Sequence, residues 1–142
     1  MNELSNPNPE FIFHLVPKMD FFTQIQDNIY TPKRFSQDGF IHCTYGEDLT
    51  ILVANDYFSK ELELLILKIS LNKVKAKVRF EAPQPIPGGK SSHLQVNSLY
   101  PHIYGSLNLD SIEGIAKLPK INYVFHFPKV FKYYSEIKDG KI

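Results

Sequence analysis

The stretch that decides the fold is GFIHCT, residues 39–44, which is followed directly by a helical pattern. Alternate side chains of a strand face opposite ways, so Phe40, His42 and Thr44 share one face of this strand. Thr44 and Glu47 have the spacing of a capping box, which satisfies exposed backbone donors at the start of a helix. The sequence therefore predicts that His42 lies at the end of a buried strand, two residues before a strand-to-helix junction.

The bulk composition is that of an ordinary globular protein. Its 142 residues make one domain that is long enough to bury a sizeable core. A formal net charge of +1 gives no overall field for nucleic acid or an anionic membrane, so any phosphate recognition has to be local. The single cysteine, Cys43, excludes an intrachain disulfide and is expected to face the core. Because segment 1–10 is polar and no apolar run is long enough to span a bilayer, we expect a cytoplasmic protein with no membrane partner.

Patterns along the chain predict one globular domain over residues 11–128, between a flexible N-terminus at 1–10 and a C-terminal tail at 129–142. Strands outnumber helices and the helices come early, so we expect an α+β domain with a curved, mainly antiparallel sheet and two helices in its N-terminal half. The predicted elements are a strand over 11–16, a helix from Pro17 with apolar positions through Ile29, a loop over 30–39, a helix over 47–58, a central strand over 62–69, an alternating strand over 74–82, a Pro- and Gly-rich connection over 83–92, a short strand near Leu94, a turn over 101–105, and strands over 112–117 and 123–127.

Two histidines stand out because each lies in a predicted central strand. His14 is flanked on its own face by Ile12 and Val16, a setting that is also typical of a core histidine with satisfied hydrogen bonds. His42 occupies a matching place in the second strand, and two such histidines can converge on one cleft. Burial lowers the pKa of a histidine and a carboxylate raises it, so either neighbour can tune His42 for acid–base work.

Four further residues are candidates for ligand contact or catalysis. Glu81 closes the alternating strand just before the Pro- and Gly-rich connection, on a face that is otherwise basic and is expected to be solvated. His102 and Tyr104 alternate on one face beside a glycine, which suits a ligand-contact site. Arg34, with Lys33 beside it, precedes the His42 strand, and its planar fork of donors can hold a phosphate.

Several familiar site signatures are missing from the sequence. It contains no P-loop, no GxGxxG, no HExxH and no GxSxG. A three-histidine metal site from His14, His42 and His102 is chemically feasible, but nothing in the spacing requires it and we expect no metal. We expect a small-molecule or nucleotide ligand as the partner, and the sequence gives no indication of the oligomeric state.

Four segments in order resemble the domain-of-unknown-function family numbered 952. They are the His14 strand, GFIHCT, RFE at 79–81 and PHIYGSL at 101–107, and the resemblance covers roughly residues 11–118. More distantly, a His-bearing first strand followed by a strand with His and Thr leading into a helix is similar to the ADP-ribosyltransferase superfamily. The closest similarity there is to the tRNA 2′-phosphotransferase branch, whose two core histidines would fall on His14 and His42. Leu15 stands where that superfamily typically has glycine.

The superfamily resemblance implies an NAD-binding, ADP-ribosyl-transferring domain. In that hypothesis His14 bonds the nicotinamide-side ribose, while His42 and Thr44 position the ribose or the diphosphate, with Arg34 and Tyr104 as further ligand contacts. Glu81, or His102 in its place, would stabilise positive charge at the ribose carbon as nicotinamide leaves.

Two alternatives remain open at the level of sequence. One is a metal-free acid–base enzyme in which His42 and His102 share proton transfer on a phosphodiester or a small nucleotide, worth about 10²- to 10⁴-fold in rate. The other is a non-catalytic module that binds a small polar ligand in a pocket between the two histidine strands and the Pro- and Gly-rich connection.

Overall fold

A computed structural model describes residues 7–83, 98–137 and 141–142 of the chain. The described part is α+β, with few helices and only antiparallel strand pairs, which confirms the predicted fold class. Short 3-10 turns lie at Leu71–Lys73, Leu109–Ser111 and Tyr134–Glu136. The strands and helices are β1 (Phe11–Pro17), α1 (Lys18–Thr23), β2 (Ile25–Gln26), β3 (Ile29–Tyr30), α2 (Phe35–Asp38), β4 (Ile41–His42), α3 (Glu47–Tyr57), β5 (Leu64–Ser70), β6 (Lys77–Glu81), β7 (Tyr100–Tyr104), β8 (Leu107–Asn108), β9 (Ile112–Lys117), β10 (Lys120–Ile121), β11 (Val124–Phe125) and β12 (Lys132–Tyr133).

The main sheet has the strand order β1-β5-β9-β12, with β5 inside it. The nearly continuous apolar run of β5 is explained by burial on both of its faces. Leu65, Leu67 and Ile69 pack into one core cluster, and Leu64 and Ile66 pack into a second. The predicted central strand is therefore confirmed. β12 lies in the segment predicted to be a C-terminal tail, and it pairs with β9.

A second sheet, ordered β4-β7-β6, carries four of the candidate residues, His42, Glu81, His102 and Tyr104. Its register places His42 opposite His102 and His102 opposite Arg79, so these three side chains share one face. Ile41 and Ile103 pack into the core from the other face. The alternation predicted over 74–82 is confirmed, since its apolar members pack against that same core.

The two sheets meet where β1 passes the chain just after β4. The Phe13 N–H donates to the Thr44 carbonyl at 2.7 Å, and the Thr44 N–H donates to the Phe13 carbonyl at 2.8 Å. This short bridge brings His14 next to the backbone of His42, as the sequence predicted for two strands that converge.

The prediction of a turn over 101–105 is wrong, because these residues form most of strand β7. Pro101 is tolerated there because the pairing uses its carbonyl, which accepts a 3.0 Å hydrogen bond from the Cys43 N–H. Gly105 follows the strand and lies so close to Ala76 that a Cβ on it would approach the Ala76 Cβ to 2.8 Å.

The predicted helix from Pro17 is also too long. Helix α1 ends at Thr23, and Ile25 and Ile29 lie in the β2–β3 hairpin. Asp27 and Asn28 form the turn with φ values of 54° and 61°, a conformation that Asp and Asn adopt more readily than most residues. The apolar residues up to Ile29 match helical spacing by coincidence, and the Asp27-Asn28 pair is the better indicator because it is typical of a hairpin turn.

Three smaller predictions differ from the structure or fall outside it. The loop predicted over 30–39 contains the four-residue helix α2, and the strand predicted over 123–127 is the short β11, paired with β10 in a hairpin. The strand predicted near Leu94 lies outside the described residues. Within the described ranges, no helix has the length and apolar character to cross a membrane.

Candidate functional site

The candidate site consists of two histidine–carboxylate pairs on one face of the second sheet. His42 and His102 lie opposite each other in register, and their ring centroids are 5.7 Å apart. Each histidine is hydrogen-bonded to a different carboxylate, Asp38 for His42 and Glu81 for His102. We call the His42–Asp38 pair the outer pair and the His102–Glu81 pair the inner pair, because the side chain of His42 is more exposed to solvent than that of His102.

The outer pair forms because helix α2 ends four residues before His42. His42 Nε2 donates to Asp38 Oδ2 at 3.0 Å, and Arg34 Nη2 donates to Asp38 Oδ1 at 3.0 Å. Asp38 therefore bridges a guanidinium and an imidazole. An ionised carboxylate only accepts, so the proton sits on Nε2 and the Nδ1 atom of neutral His42 is left as the basic nitrogen. Burial holds the pKa of His42 below its ordinary value, although Asp38 acts in the opposite direction.

The inner pair has the more deeply buried histidine, and it includes a third residue. His102 Nδ1 donates to Glu81 Oε1 at 2.8 Å, and the Tyr104 hydroxyl donates to the same oxygen at 2.5 Å. The His102 side chain is only 2% exposed, and the Phe40 ring stacks on it with centroids 4.1 Å apart. Burial lowers the pKa of His102, while the hydrogen bonds from Tyr104 and then His102 lower the pKa of Glu81.

His14 lies behind the outer pair with both ring nitrogens engaged. Its Nδ1 donates to the His42 carbonyl at 2.7 Å, which leaves Nε2 to accept a 2.8 Å hydrogen bond from the Tyr30 hydroxyl. Burial lowers the pKa of His14 to about 4, so this imidazole is neutral at pH 7. In this geometry His14 fixes the backbone that carries His42.

Thr44 does not form the predicted capping box. Helix α3 begins at Glu47 after Gly46, which is the N-cap residue and supplies no side-chain cap. The Thr44 hydroxyl lies 2.6 Å from the Thr50 hydroxyl, which in turn donates to the Gly46 carbonyl at 2.7 Å. The spacing to Glu47 failed as a capping signal because two residues, rather than none, separate Thr44 from the first helical residue.

Two adjoining cavities open beside the histidines and share His42, Leu15 and Phe58. The inner cavity has a volume of about 40 Å³, room for a water molecule or two. Its walls include Thr44, His102 and several apolar side chains. The outer cavity has a volume of about 370 Å³, and its lining includes Arg34. The remaining polar residues around the outer cavity are His14, Asp20, Gln24, Tyr30, Lys33 and Asp38.

The structure brings most of the sequence-predicted residues together, but not all at one surface. His14, Arg34 and His42 line the outer cavity, and His42, Thr44 and His102 line the inner one. Glu81 and Tyr104 line neither of these two cavities. Glu81 contacts the site through its hydrogen bond to His102, and Tyr104 is bonded in turn to Glu81.

Sequence reasoning missed Asp38 and underrated Phe40. Asp38 was hidden in a predicted loop, and only the helical turn of α2 gives its spacing from His42 a meaning. Phe40 was placed on the face of His42, yet no pattern indicated that its ring would cover His102. Among the described residues, no group of three or more His, Cys, Asp or Glu side chains is arranged to hold a metal.

These features define an α+β protein with two histidine–carboxylate pairs beside a cavity of ligand size. The chain belongs to a family described as "Protein of unknown function (DUF952)", whose model matches residues 16–115. This confirms the resemblance to family 952, and His14 lies just outside the matched range. No curated protein matches the chain.

Solved structures with a similar fold come from Caulobacter crescentus. The alignment with the crystal structure of protein CC0527 covers 82% of this chain and 93% of the CC0527 chain. Its TM-score is 0.65 and the sequence identity is 18%. A double mutant of the same protein gives the same values. At this identity the likeness concerns the fold alone.

Proposed function

We propose that the outer cavity binds a nucleotide-class ligand that carries a phosphate, with NAD and ADP-ribose as the leading candidates. The observation that carries this proposal is one continuous cavity of about 370 Å³ that is lined by both Arg34 and His42. Sites for small ligands and cofactors have volumes of roughly 300–1,000 Å³ and combine apolar walls with a few convergent polar groups. A small-molecule partner and a cytoplasmic location are part of the same proposal.

The polar groups of the cavity suit a phosphate at one end. Arg34 is exposed and presents planar donors that match phosphate oxygens, and Lys33 adds a second positive charge beside it. Lys33 lies 3.4 Å from Asp20, an exposed ion pair that a ligand can replace at small cost. The apolar walls, which include Phe35 and Phe40, would take the ring portions of the ligand.

The chemistry we propose for this ligand is ADP-ribosyl transfer. The bond between the nicotinamide nitrogen and the ribose carbon breaks, its electron pair leaves with nicotinamide, and a nucleophile of the acceptor forms the new bond to that carbon. His42 Nδ1 takes the proton that the nucleophile loses, because Nε2 is already held by Asp38. Since both ring nitrogens of His14 are engaged, we propose that His14 acts by positioning His42 and not by bonding the ribose.

Calorimetric titration of NAD and of ADP-ribose tests this function. We expect saturable binding to the wild-type protein, weakened at least tenfold, or about 1.4 kcal/mol, in both His42→Ala and Arg34→Gln. Matched controls are His126→Ala and Lys132→Gln, which replace exposed residues outside both cavities. Absence of binding at millimolar ligand, or equal binding by all variants, would contradict the proposal.

A second candidate function is acid–base cleavage of a phosphodiester. It is favoured by the register that places His42 opposite His102. The second ring nitrogen of each histidine, Nδ1 of His42 and Nε2 of His102, has no hydrogen-bond partner among the described residues. One histidine would take the proton of the attacking water as its oxygen bonds to phosphorus, and the other would give a proton to the leaving alkoxide. The inner cavity is too small for a phosphodiester, so His102 would act through a water held there.

The two functions differ in product and in pH dependence. Cleavage by the histidine pair predicts turnover of a 2′,3′-cyclic nucleotide with a bell-shaped pH profile, and loss of that turnover in both His42→Ala and His102→Ala. Unchanged rates in both variants would exclude this second function. ADP-ribosyl transfer instead predicts release of nicotinamide from NAD.

A further inference from the structure

The carboxylate of Asp38 is shared between two groups that the proposed ligand would approach. One oxygen accepts from Arg34 and the other from His42, each at 3.0 Å. The Asp38 side chain is 16% exposed, against 45% for Arg34 and 23% for His42. All three residues line the outer cavity, so an anion that enters it meets a guanidinium whose nearest partner is already negative.

From this arrangement we propose that anion binding at Arg34 is coupled to proton uptake at His42 through Asp38, so that the site binds a tetrahedral dianion such as a phosphate group together with a proton. The inference rests on the proposed function in one respect, since it places the phosphate of that ligand in the same cavity. It adds Asp38 as the residue that links the charge of the ligand to the protonation state of the proposed base.

The physical basis is an exchange of partners. Without an anion, Asp38 divides its negative charge between Arg34 and His42. When an anion takes Arg34, its charge offsets that of the guanidinium, which otherwise opposes the protonation of His42. Asp38 is then left with His42 alone, and both changes favour the imidazolium form. Coupling of this kind is reciprocal, so protonation of His42 must strengthen anion binding by the same factor.

Other charged groups near His42 set the background against which this exchange acts. The like charge of a protonated His102 would oppose proton uptake by His42. His14 is bonded to the His42 carbonyl and is neutral at pH 7, so it adds no charge near neutrality. The titratable and charged groups that face the site come from several elements. They are Arg34 at the N-cap of α2, Asp38 from α2, Lys33 from the preceding loop, Asp20 from α1, His14 from β1, Tyr30 from β3, His102 from β7 and, through His102, Glu81 from β6.

Sulfate is the appropriate probe, because it is tetrahedral and keeps its double charge between pH 5 and 8. We expect saturating sulfate to raise the pKa of His42 by about one unit, and the ring C2–H resonance of His42 measures this pKa. A rise of one unit corresponds to sulfate binding about tenfold more tightly to the protonated form of His42 than to the neutral form. The His126 resonance is an internal control, because His126 is exposed and outside the cavity.

Variants separate coupling from simple attraction between sulfate and His42. Asp38→Asn removes the competitor for Arg34, so we expect sulfate to bind more tightly and the sulfate-induced rise in the His42 pKa to shrink to less than half. Lys33→Gln is the matched control, because Lys33 pairs with Asp20 and not with Asp38. It should weaken binding and leave the rise unchanged. Arg34→Lys, which keeps the charge without the fork, should retain the coupling at lower affinity.

Three results would overturn the inference. They are the absence of sulfate binding at millimolar concentration, an equal pKa rise in wild type and Asp38→Asn, and weaker binding by Asp38→Asn. If ADP-ribose binds at His42 but sulfate and proton binding are independent, the coupling fails and the proposed function stands. If the coupling is found but neither NAD nor ADP-ribose binds, the anion site stands and the proposed function fails.

Discussion

The outer and inner histidine–carboxylate pairs use the same side-chain chemistry in opposite orientations. In the outer pair the histidine is 23% exposed and its carboxylate 16% exposed, whereas in the inner pair the histidine is 2% exposed and its carboxylate 34% exposed. The outer pair therefore presents its base to a cavity of ligand size, and the inner pair presents its acid towards solvent and keeps its base covered. The comparison teaches that access, more than residue type, separates a group that meets a ligand from one that holds the sheet in place.

The largest expected effect concerns His14, the buried histidine that supports the outer pair. Its pKa is about 4 in the folded protein against 6.5 for an unperturbed histidine, so the unfolded chain binds more protons between these values. The free energy of unfolding should therefore fall as the pH drops from 6.5 to 4, with up to about 3 kcal/mol attributable to this one group.

Urea denaturation at pH 7 and pH 4.5 measures this contribution in wild type and His14→Gln. The variant should be less stable at pH 7, because the bonds to the His42 carbonyl and to Tyr30 are altered, yet it should lose less stability on acidification. His126→Gln is the control and should keep the wild-type dependence. An identical acid loss in wild type and His14→Gln would mean that His14 does not carry the effect.

The next effect separates the two pairs by stability at neutral pH. His102→Ala removes a buried ring that stacks on Phe40 and bonds Glu81, so we expect a loss of about 2–3 kcal/mol. His42→Ala removes a partly exposed ring and should cost about 1 kcal/mol or less. Urea midpoints for both variants test this order, and equal losses would argue against the assignment of the inner pair to a structural role.

Some features of the fold followed directly from the sequence. The continuous apolar run of β5 indicates burial on both faces of the strand, and the alternation in β6 indicates burial on one face. Both predictions are confirmed. The length of α1 was not, because a few apolar residues match helical spacing by chance, and the turn residues Asp27 and Asn28 outweigh that pattern. The strand over Tyr100–Tyr104 was mistaken for a turn because Pro101 and Gly105 are common in turns, whereas the observed pairing depends on distant partners in β4 and β6.

The sequence predicted most of the residues of the candidate site but not how they are arranged. His42 and His102 were both singled out, but their direct opposition is a property of strand register, which local pattern does not encode. The role of Asp38 depends on a four-residue helix too short to have an apolar period. The hydrogen bond between His14 and Tyr30 joins residues that are 16 positions apart, so it is visible only in the folded structure.

The smallest expected effect is the change in the pKa of each histidine when its own carboxylate, or that of the other pair, is neutralised. Asp38→Asn should lower the pKa of His42, because Asp38 raises it, and should leave His102 nearly unchanged. Glu81→Gln should lower the pKa of His102, because Glu81 raises it, and should leave the pKa of His42 nearly unchanged. Histidine C2–H resonances followed against pH measure both values. If either variant moved both histidines equally, the two pairs would titrate as one unit.

The claim that the outer cavity is the ligand site is tested most directly by titrating ADP-ribose while the histidine ring resonances are observed. We expect the His42 resonance to shift saturably in wild type, no saturable shift of any histidine in Arg34→Gln at the same concentrations, and a His126 resonance that stays unchanged in both. A saturable shift that leaves His42 unmoved, or no shift at millimolar ADP-ribose, would contradict the claim.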